Sequence, residues 1–175
     1  MNSLETRAAA LVNPASGIAN DYLNHFNEIL LLIENLPALL PEMIDEILAW
    51  KPVNYRQYFT NSPLPGSVKT LEIYDSLDEE FRLDFENMIE ILDKIILESI
   101  KVVTDARRPD GTLEPDEVAD VCESLSQKLR LVLDRTADLV NHGYAPPLER
   151  AQNMADRIMN ASPQKSLLAE IEDRK

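Results

Sequence analysis

The chain has 175 residues, and 45% of them are hydrophobic, which is enough to bury the core of a single domain. Its 17 basic and 31 acidic side chains give a formal net charge of −14. Nucleic acids and anionic membranes would repel such a surface, so we expect partners among proteins, cations or small molecules.

The single cysteine and the short apolar runs bear on the compartment. Cys122 has no second cysteine with which to form an internal disulfide, and its apolar neighbours Val118 and Leu125 predict that it is buried. Residues 8–12 are too short an apolar run for a signal peptide, and residues 29–33 fall far below the roughly 20 residues of a membrane span. We therefore predict a cytoplasmic protein that does not associate with membranes.

The first part of the chain predicts a loose arm and two helices. Residues 1–16 end in turn-forming residues and are predicted to be a loose arm. Helices are predicted over residues 18–35 and, beginning at a proline, over residues 41–50. The first helix repeats apolar side chains along one face, namely Ile18, Tyr22, Phe26, Ile29 and Ile33.

The proline-rich residues 51–67 predict an ordered loop with at most one helical turn. A third helical stretch is predicted to begin near Ser67 and to break or bend near Ser76. Ser76 and Glu79 have the spacing of a capping box, so we expect Ser76 to cap the helix that follows.

The longest predicted helix covers about residues 77–104. Its apolar residues fall in one sector, so we predict a one-sided scaffold that crosses the domain. This stripe consists of Leu77, Phe81, Phe85, Met88, Ile89, Leu92, Ile95, Ile96, Ile100 and Val103. The opposite side carries Glu79, Glu80, Asp84, Glu86, Glu90, Asp93, Lys94, Glu98 and Lys101.

The rest of the chain predicts two further helices, over residues 115–142 and 148–159, and a flexible tail over residues 161–175. Gly143 is placed to end the first of these helices in the left-handed conformation. The sequence therefore predicts an all-α, single-domain bundle of five or six helices over residues 17–160.

The loop over residues 110–117 resembles the second half of an EF-hand calcium loop. Gly111 and Glu117 match the turn position and the closing carboxylate of that loop. Counting back from Gly111, the first two ligand positions fall on Ala106 and Arg108, which do not ligate calcium. We therefore interpret the segment as a helix–turn–helix corner.

His25 shares a helical face with two acids, because Asp21, His25 and Glu28 lie at positions i, i+4 and i+7. Such a face suits a metal ion, or the phosphoryl-accepting histidine of a phosphorelay module. The only other histidine is His142, and the residues that follow His25 differ from those of phosphotransfer domains. We interpret the face as a solvated one and keep both roles as alternatives.

The same helix also stacks Asn20, Asn24 and Asn27 on one side. Asparagine is a poor helix former, and a solvated face more often uses glutamate or lysine. Leu31 and Leu32 continue on this side. Our hypothesis is that the helix is covered on both sides, either by other helices or by a second copy of the chain in a homodimer. The alternative is that these asparagines are tolerated on an exposed surface.

Aromatic residues cluster in the segment that follows the second predicted helix. Trp50, Tyr55, Tyr58 and Phe59 surround Arg56 in the sequence. Aromatic side chains and arginine are the residue types that anchor contact sites, although such rings also close the end of a bundle. The segment is a second candidate binding surface.

The sequence has no glycine-rich phosphate loop, zinc-ligand spacing or catalytic-triad order, so we predict no cofactor, metal or catalytic residue. We expect a non-enzymatic protein-interaction or regulatory module that binds another protein or itself. The alternatives are a small-molecule- or metal-binding bundle with a site near His25, and a histidine phosphorelay module. The predicted binding surface comprises Asn20, Asp21, Asn24, His25, Asn27, Glu28, Trp50, Tyr55, Arg56, Tyr58 and Phe59.

Overall fold

The computed structural model describes residues 10–38 and 41–144 of the chain. These residues form α-helices and two 3₁₀ turns and contain no β-strand, which confirms the predicted all-α class. None of the helices in these two ranges has the length and apolar character needed to cross a bilayer. The predicted helix over residues 148–159, the predicted tail and residues 1–9 lie outside the described residues.

The described helices are six in number. They are α1 (Asn24–Glu34), α2 (Pro41–Ala49), α3 (Tyr55–Thr60), α4 (Ser67–Asp75), α5 (Glu79–Ala106) and α6 (Pro115–His142). The two 3₁₀ turns are Asn20–Leu23 and Leu36–Ala38.

The two longest helices, α5 and α6, form the frame of the bundle. Each has 28 residues, and the short loop between them lets the two helices pack against each other as a hairpin. Helix α1 packs against α6, and α2 packs against α1 and α5. Most of the predicted apolar stripe of α5 is buried, as its residues Phe81, Phe85, Ile89, Leu92, Ile96 and Val103 show.

The start of α5 differs from the prediction in its cap. The N-cap is Asp78, whose carboxylate accepts a hydrogen bond of 3.1 Å from the Phe81 backbone N–H. Ser76 instead donates its hydroxyl hydrogen to the carbonyl oxygen of Ile73, at 2.7 Å, in the last turn of α4. A carboxylate at the N-cap also interacts favourably with the helix dipole, which a serine hydroxyl does only weakly.

Helix α1 begins later than predicted. Ala19 has extended backbone angles, and its N–H donates to the hydroxyl oxygen of Tyr55 at 2.9 Å. The N–H of Ile18 donates to Ser16 Oγ at 3.1 Å. Because the backbone of Ala19 is extended, the helical turns begin only after it, and the two N–H groups before them are satisfied by side chains. All five residues of the predicted apolar face are nevertheless buried.

The described end of the predicted loose arm, residues 10–16, is packed against the end of α6. The Oγ of buried Ser16 donates to the carbonyl oxygen of Val140 at 2.5 Å, and the side-chain amide of Asn13 donates to Asn141 Oδ1 at 3.3 Å. These residues are therefore ordered by individual hydrogen bonds, in contrast to the loose arm that was predicted.

Helix α6 ends at His142, as predicted, and Gly143 follows it. Gly143 has a positive φ of 58°, but its ψ of −141° differs from the left-handed helical conformation that was predicted. A Cβ atom at this position would lie 3.1 Å from the carbonyl oxygen of Ala15. Glycine therefore allows the N-terminal segment to approach the end of α6 closely.

The proline-rich segment contains the helix α3, six residues long, where the sequence predicted a loop with at most one helical turn. Asn54 and Gln57 form a capping box at its start. Asn54 Oδ1 accepts from the Gln57 N–H at 2.9 Å, and Gln57 Oε1 accepts from the Asn54 N–H at 3.2 Å. Helix α3 packs against α4, and its buried side chains are Tyr55 and Phe59.

Candidate functional site

A cavity of about 350 Å³ is lined by residues from α3, α4, α5 and the 3₁₀ turn Asn20–Leu23, and is named here the tyrosine cavity. Its volume lies at the low end of the range of about 300–1,000 Å³ that is typical of ligand pockets. Aromatic rings form its floor, namely Tyr22, Tyr55, Tyr74 and Phe85. Its polar lining consists of Asn54, Arg56, Glu86, Glu90 and Asp93, and Ile89 completes it.

Tyr55 lies at the centre of the ring floor. Its ring stacks on that of Tyr74, with centroids 4.3 Å apart, and meets the edges of Tyr22 and Phe85 at 5.2 Å and 5.8 Å. None of the four side chains is more than 3% exposed. Offset and edge-to-face ring contacts add about 0.5–1.5 kcal/mol each to the burial of apolar area, so we expect the floor to be rigid.

The hydroxyl groups of the floor are also held in place. The Tyr22 hydroxyl donates to the carbonyl oxygen of Val53 at 2.7 Å, and the Tyr55 hydroxyl oxygen accepts from the Ala19 N–H at 2.9 Å. Burial is the largest cause that raises the pKa of both phenols. They therefore stay protonated at neutral pH and do not act as bases.

Asp93 is the acid of the cavity whose carboxylate has the fewest hydrogen-bond and charge partners. Its Oδ1 atom is enclosed, and no group in the described residues donates a hydrogen bond to it. Burial, followed by repulsion from Glu90, raises the pKa of Asp93 from 3.8 to about 6. A buried carboxylate oxygen normally has a donor or a cation beside it, so Asp93 is a carboxylate whose charge the described residues leave uncompensated.

The other two acids of the lining have partners within the chain. Glu86 Oε1 accepts a hydrogen bond of 2.7 Å from the hydroxyl of Tyr74. Glu90 forms an ion pair with Lys94 at 2.8 Å, and this interaction lowers the pKa of Glu90. Both acids therefore have a partner within the chain, which Asp93 Oδ1 lacks.

Arg56 supplies the positive charge of the lining, and it is held at the rim. Its guanidinium group forms an ion pair with Asp75, and the two side chains are 50% and 54% exposed. The same group lies 5.3 Å from the centre of the Tyr74 ring. The charge of Arg56 is therefore directed towards α4 and its exposed acid.

Two residues of the predicted aromatic surface, Tyr55 and Arg56, line the tyrosine cavity. Phe59 is buried behind the floor, with its ring centroid 4.8 Å from that of Tyr55. The Tyr58 hydroxyl donates to Asp21 Oδ2 at 2.9 Å. The segment thus closes one part of the core and also contributes side chains to the cavity.

His25 does not line the tyrosine cavity, and its ring stacks on that of Trp50 with centroids 4.9 Å apart. Its Nε2 atom is enclosed and has no hydrogen-bond partner in the described residues. Burial is the largest cause that lowers the pKa of His25, and a hydrogen bond with the Lys51 backbone opposes it. A phosphoryl-accepting nitrogen needs access to its donor, so this geometry gives the phosphorelay alternative no support at Nε2.

The acids beside His25 are not gathered around it. The carboxylate of Asp21 accepts hydrogen bonds from Tyr58 and, at 3.2 Å, from the Asn24 amide, and Glu28 is exposed. Within residues 10–38 and 41–144, no group of three or more His, Cys, Asp and Glu side chains is placed to hold a metal ion.

The loop that resembles half of an EF-hand is organised by arginine. Arg108 pairs with Glu114 at 3.2 Å and with Glu117, the expected closing carboxylate, at 3.4 Å. Asp110 Oδ1 accepts from the hydroxyl of Thr112 at 2.6 Å and from its N–H at 3.0 Å. These contacts fit the interpretation of the loop as a helix–turn–helix corner.

The asparagine side of α1 is only partly covered by the described chain. The amide of Asn20 donates to Asn141 Oδ1 at 3.1 Å. Asn24 and Asn27 are exposed, and Leu31 is 57% exposed. None of these side chains lines the tyrosine cavity.

The acids of the cavity were missed because the sequence places them on the charged side of the long helix. Glu86, Glu90 and Asp93 look solvated in that pattern. One signal does distinguish Asp93, which lies four residues after Ile89 and three before Ile96. Both of these neighbours are buried, so Asp93 lies at the edge of the apolar stripe.

No protein-family model matches the chain, and neither a curated protein nor a solved structure matches it. The function is therefore argued from the chemistry of the site. Its two strongest features are the ring floor and the buried oxygen of Asp93.

Proposed function

We propose that the protein is a small-molecule-binding helical module and that the tyrosine cavity is its binding site. The observation that carries the proposal is a cavity of about 350 Å³ with four aromatic rings as its floor and a buried carboxylate oxygen at Asp93 that accepts no hydrogen bond from the described residues. Ligand pockets combine largely apolar walls with a few convergent polar groups in this way. The small-molecule alternative predicted from the sequence is thus favoured, at a different place from His25.

The lining supports binding more directly than catalysis. Among the residues that line the tyrosine cavity there is no serine, cysteine, lysine or histidine to act as a nucleophile. The phenols remain protonated, because burial raises their pKa. Asp93 is the lining group with a pKa near neutral, and a single such group does not make up a catalytic set.

Chemical-shift mapping by NMR with a neutral aromatic probe, 2-phenylethanol, tests this proposal. We expect saturable shifts confined to the 3₁₀ turn Asn20–Leu23, α3, α4 and residues 85–93 of α5. The variant Ile89→Phe places a larger side chain in the lining and should abolish these shifts. Leu97→Phe enlarges an exposed residue on the same helix and should leave them unchanged. Non-saturable shifts spread over the whole surface would sink the proposal.

A second candidate function is self-association through α1, the role first expected from the sequence. It is favoured by one exposed row on this helix, formed by Asn24, Asn27 and Leu31 at helical spacing. Light scattering of Leu31→Lys tests it, since a homodimer built on this row should dissociate. Leu131→Lys, at an exposed leucine of α6, is the matched control and should keep the native mass.

A further inference from the structure

We infer that the tyrosine cavity takes a small organic cation, namely a protonated primary or secondary amine attached to an apolar body. The inference rests on the proposed function and adds the chemical class of the ligand. The charges of the lining and the apolar rings of its floor each support this class.

The charges of the lining favour a cation. Three acids, Asp93, Glu86 and Glu90, face a single basic group, Arg56, which is already paired with Asp75 outside the cavity. An anionic ligand would meet this excess of negative charge within a chain of net charge −14. A neutral ligand without a donor would leave Asp93 Oδ1 without a hydrogen bond.

An ammonium group satisfies Asp93 in two ways at once. Its charge compensates a carboxylate that no basic side chain of the lining pairs with. In the bound state its N–H bonds donate to this carboxylate, whose enclosed Oδ1 atom must become accessible as the ligand enters. Charge-assisted hydrogen bonds of this kind are about twice as strong as neutral ones. Glu86 and Glu90 are held by Tyr74 and Lys94, so Asp93 is the acid that the ammonium group would engage.

The aromatic floor suits the rest of such a ligand. The rings are buried and packed on one another, and the Arg56 guanidinium already lies 5.3 Å from the centre of the Tyr74 ring. They therefore support the apolar body of the ligand, while the acids of the lining attract its charge. A metal ion is a poorer fit, because a divalent cation such as calcium takes roughly 6–8 oxygen ligands. In the described part of the chain, no cluster of His, Cys, Asp and Glu side chains is placed to supply them.

Three probes with the same ring test the charge of the ligand. They are 2-phenylethylamine (a cation), 2-phenylethanol (neutral) and phenylacetate (an anion), each measured by calorimetry and by chemical-shift mapping at pH 7.5. We expect the amine to bind about tenfold more tightly than the alcohol, and the anion to bind most weakly. The shifts caused by the amine should centre on Asp93.

Two variants assign the effect to Asp93. Asp93→Asn keeps the size of the side chain but removes its charge, so the amine should lose about tenfold in affinity while the alcohol keeps its own. Glu98→Gln makes the same change of net charge at an exposed position on α5 and should have no effect. Circular dichroism of both variants checks that the fold is retained. The chemical-shift mapping on the native chain does not depend on either variant.

The outcomes separate the two proposals. If the alcohol binds in the tyrosine cavity and the amine binds no more tightly, the inference is overturned while the small-molecule function stands. If neither probe binds there, both are overturned. If the amine is preferred but Asp93→Asn leaves its affinity unchanged, the assignment of the cation to Asp93 is wrong, and the inference is overturned in that form.

Discussion

The hydroxyl group of Tyr74 donates a hydrogen bond of 2.7 Å to Glu86 Oε1 and so ties α4 to the long helix α5. The ring of Tyr74 is buried against Tyr55, while the carboxylate of Glu86 is about half exposed. One side chain therefore belongs both to the floor and to the rim of the tyrosine cavity.

Tyr74→Phe removes this hydrogen bond and keeps the ring. Because the acceptor is charged but about half exposed, we expect the free energy of unfolding to fall by about 1 kcal/mol. Urea denaturation of the native chain, Tyr74→Phe, Glu86→Gln and the double variant measures the coupling between the two residues. Strictly additive effects of the two substitutions would show that the hydrogen bond contributes nothing to stability.

Asp93→Asn should stabilise the protein at neutral pH. The pKa of Asp93 in the folded state, about 6, lies above the ordinary 3.8, so the folded chain binds this proton more tightly than the unfolded chain does. Ionisation of Asp93 therefore removes stability as the pH rises from about 4 through about 6. After allowance for partial solvent screening, we expect the variant to gain about 1–2 kcal/mol at pH 7.5.

The same measurement at low pH provides the check on the cause. At about pH 4 the native Asp93 is protonated in the folded chain, so the gain from Asp93→Asn should largely disappear there. Glu98→Gln, at an exposed acid on the same helix, should show no comparable pH-dependent gain. An equal gain from Asp93→Asn at both pH values would mean that burial of the charge is not its source.

His25 should titrate below its ordinary pKa of 6.5, because burial against Trp50 disfavours the charged ring. Its neutral form then stabilises the fold above pH 6.5, and this contribution is lost as the pH falls from 6.5 through the lower pKa of the folded chain. NMR titration of the imidazole signals measures the midpoint, and His25→Gln assigns the signal. Trp50→Ala should move the midpoint up and Trp50→Phe should move it less. A midpoint at or above 6.5 in the native chain would contradict the expected effect of burial.

Hydrophobic periodicity predicted the helices of the fold well. An apolar stripe repeated over many turns, such as Phe81, Phe85 and Ile89, shows that a helix is present and which of its faces is buried. The helix can therefore be predicted without knowing which other helix packs on that face. The range predicted for α6, residues 115–142, is the observed one. Short helices such as α3 were harder to predict, because the signal at its start, the capping box of Asn54 and Gln57, involves only two side chains.

The tyrosine cavity could not be predicted in the same way. It brings together Tyr22, Tyr74 and Asp93, which lie on three different elements, so their proximity depends on the packing of those elements. A helical pattern assigns Asp93 to a charged face, whereas its burial depends on residues of other elements that pack near it, such as Tyr22. The packing of residues 10–16 was missed for a similar reason, since single polar contacts such as that of Ser16 have no period.

Gly143 lies where the N-terminal segment approaches the end of α6. Gly143→Ala adds a Cβ at a positive φ, 3.1 Å from the backbone oxygen of Ala15, so we expect a loss of about 2 kcal/mol in the free energy of unfolding. Gly111→Ala is the matched control, because φ there is 86° but the nearest atoms belong to the flexible Arg107 side chain. It should cost about 1 kcal/mol, from the backbone alone. Equal losses in the two variants, measured by urea denaturation, would show that the close approach of Ala15 adds no constraint at Gly143.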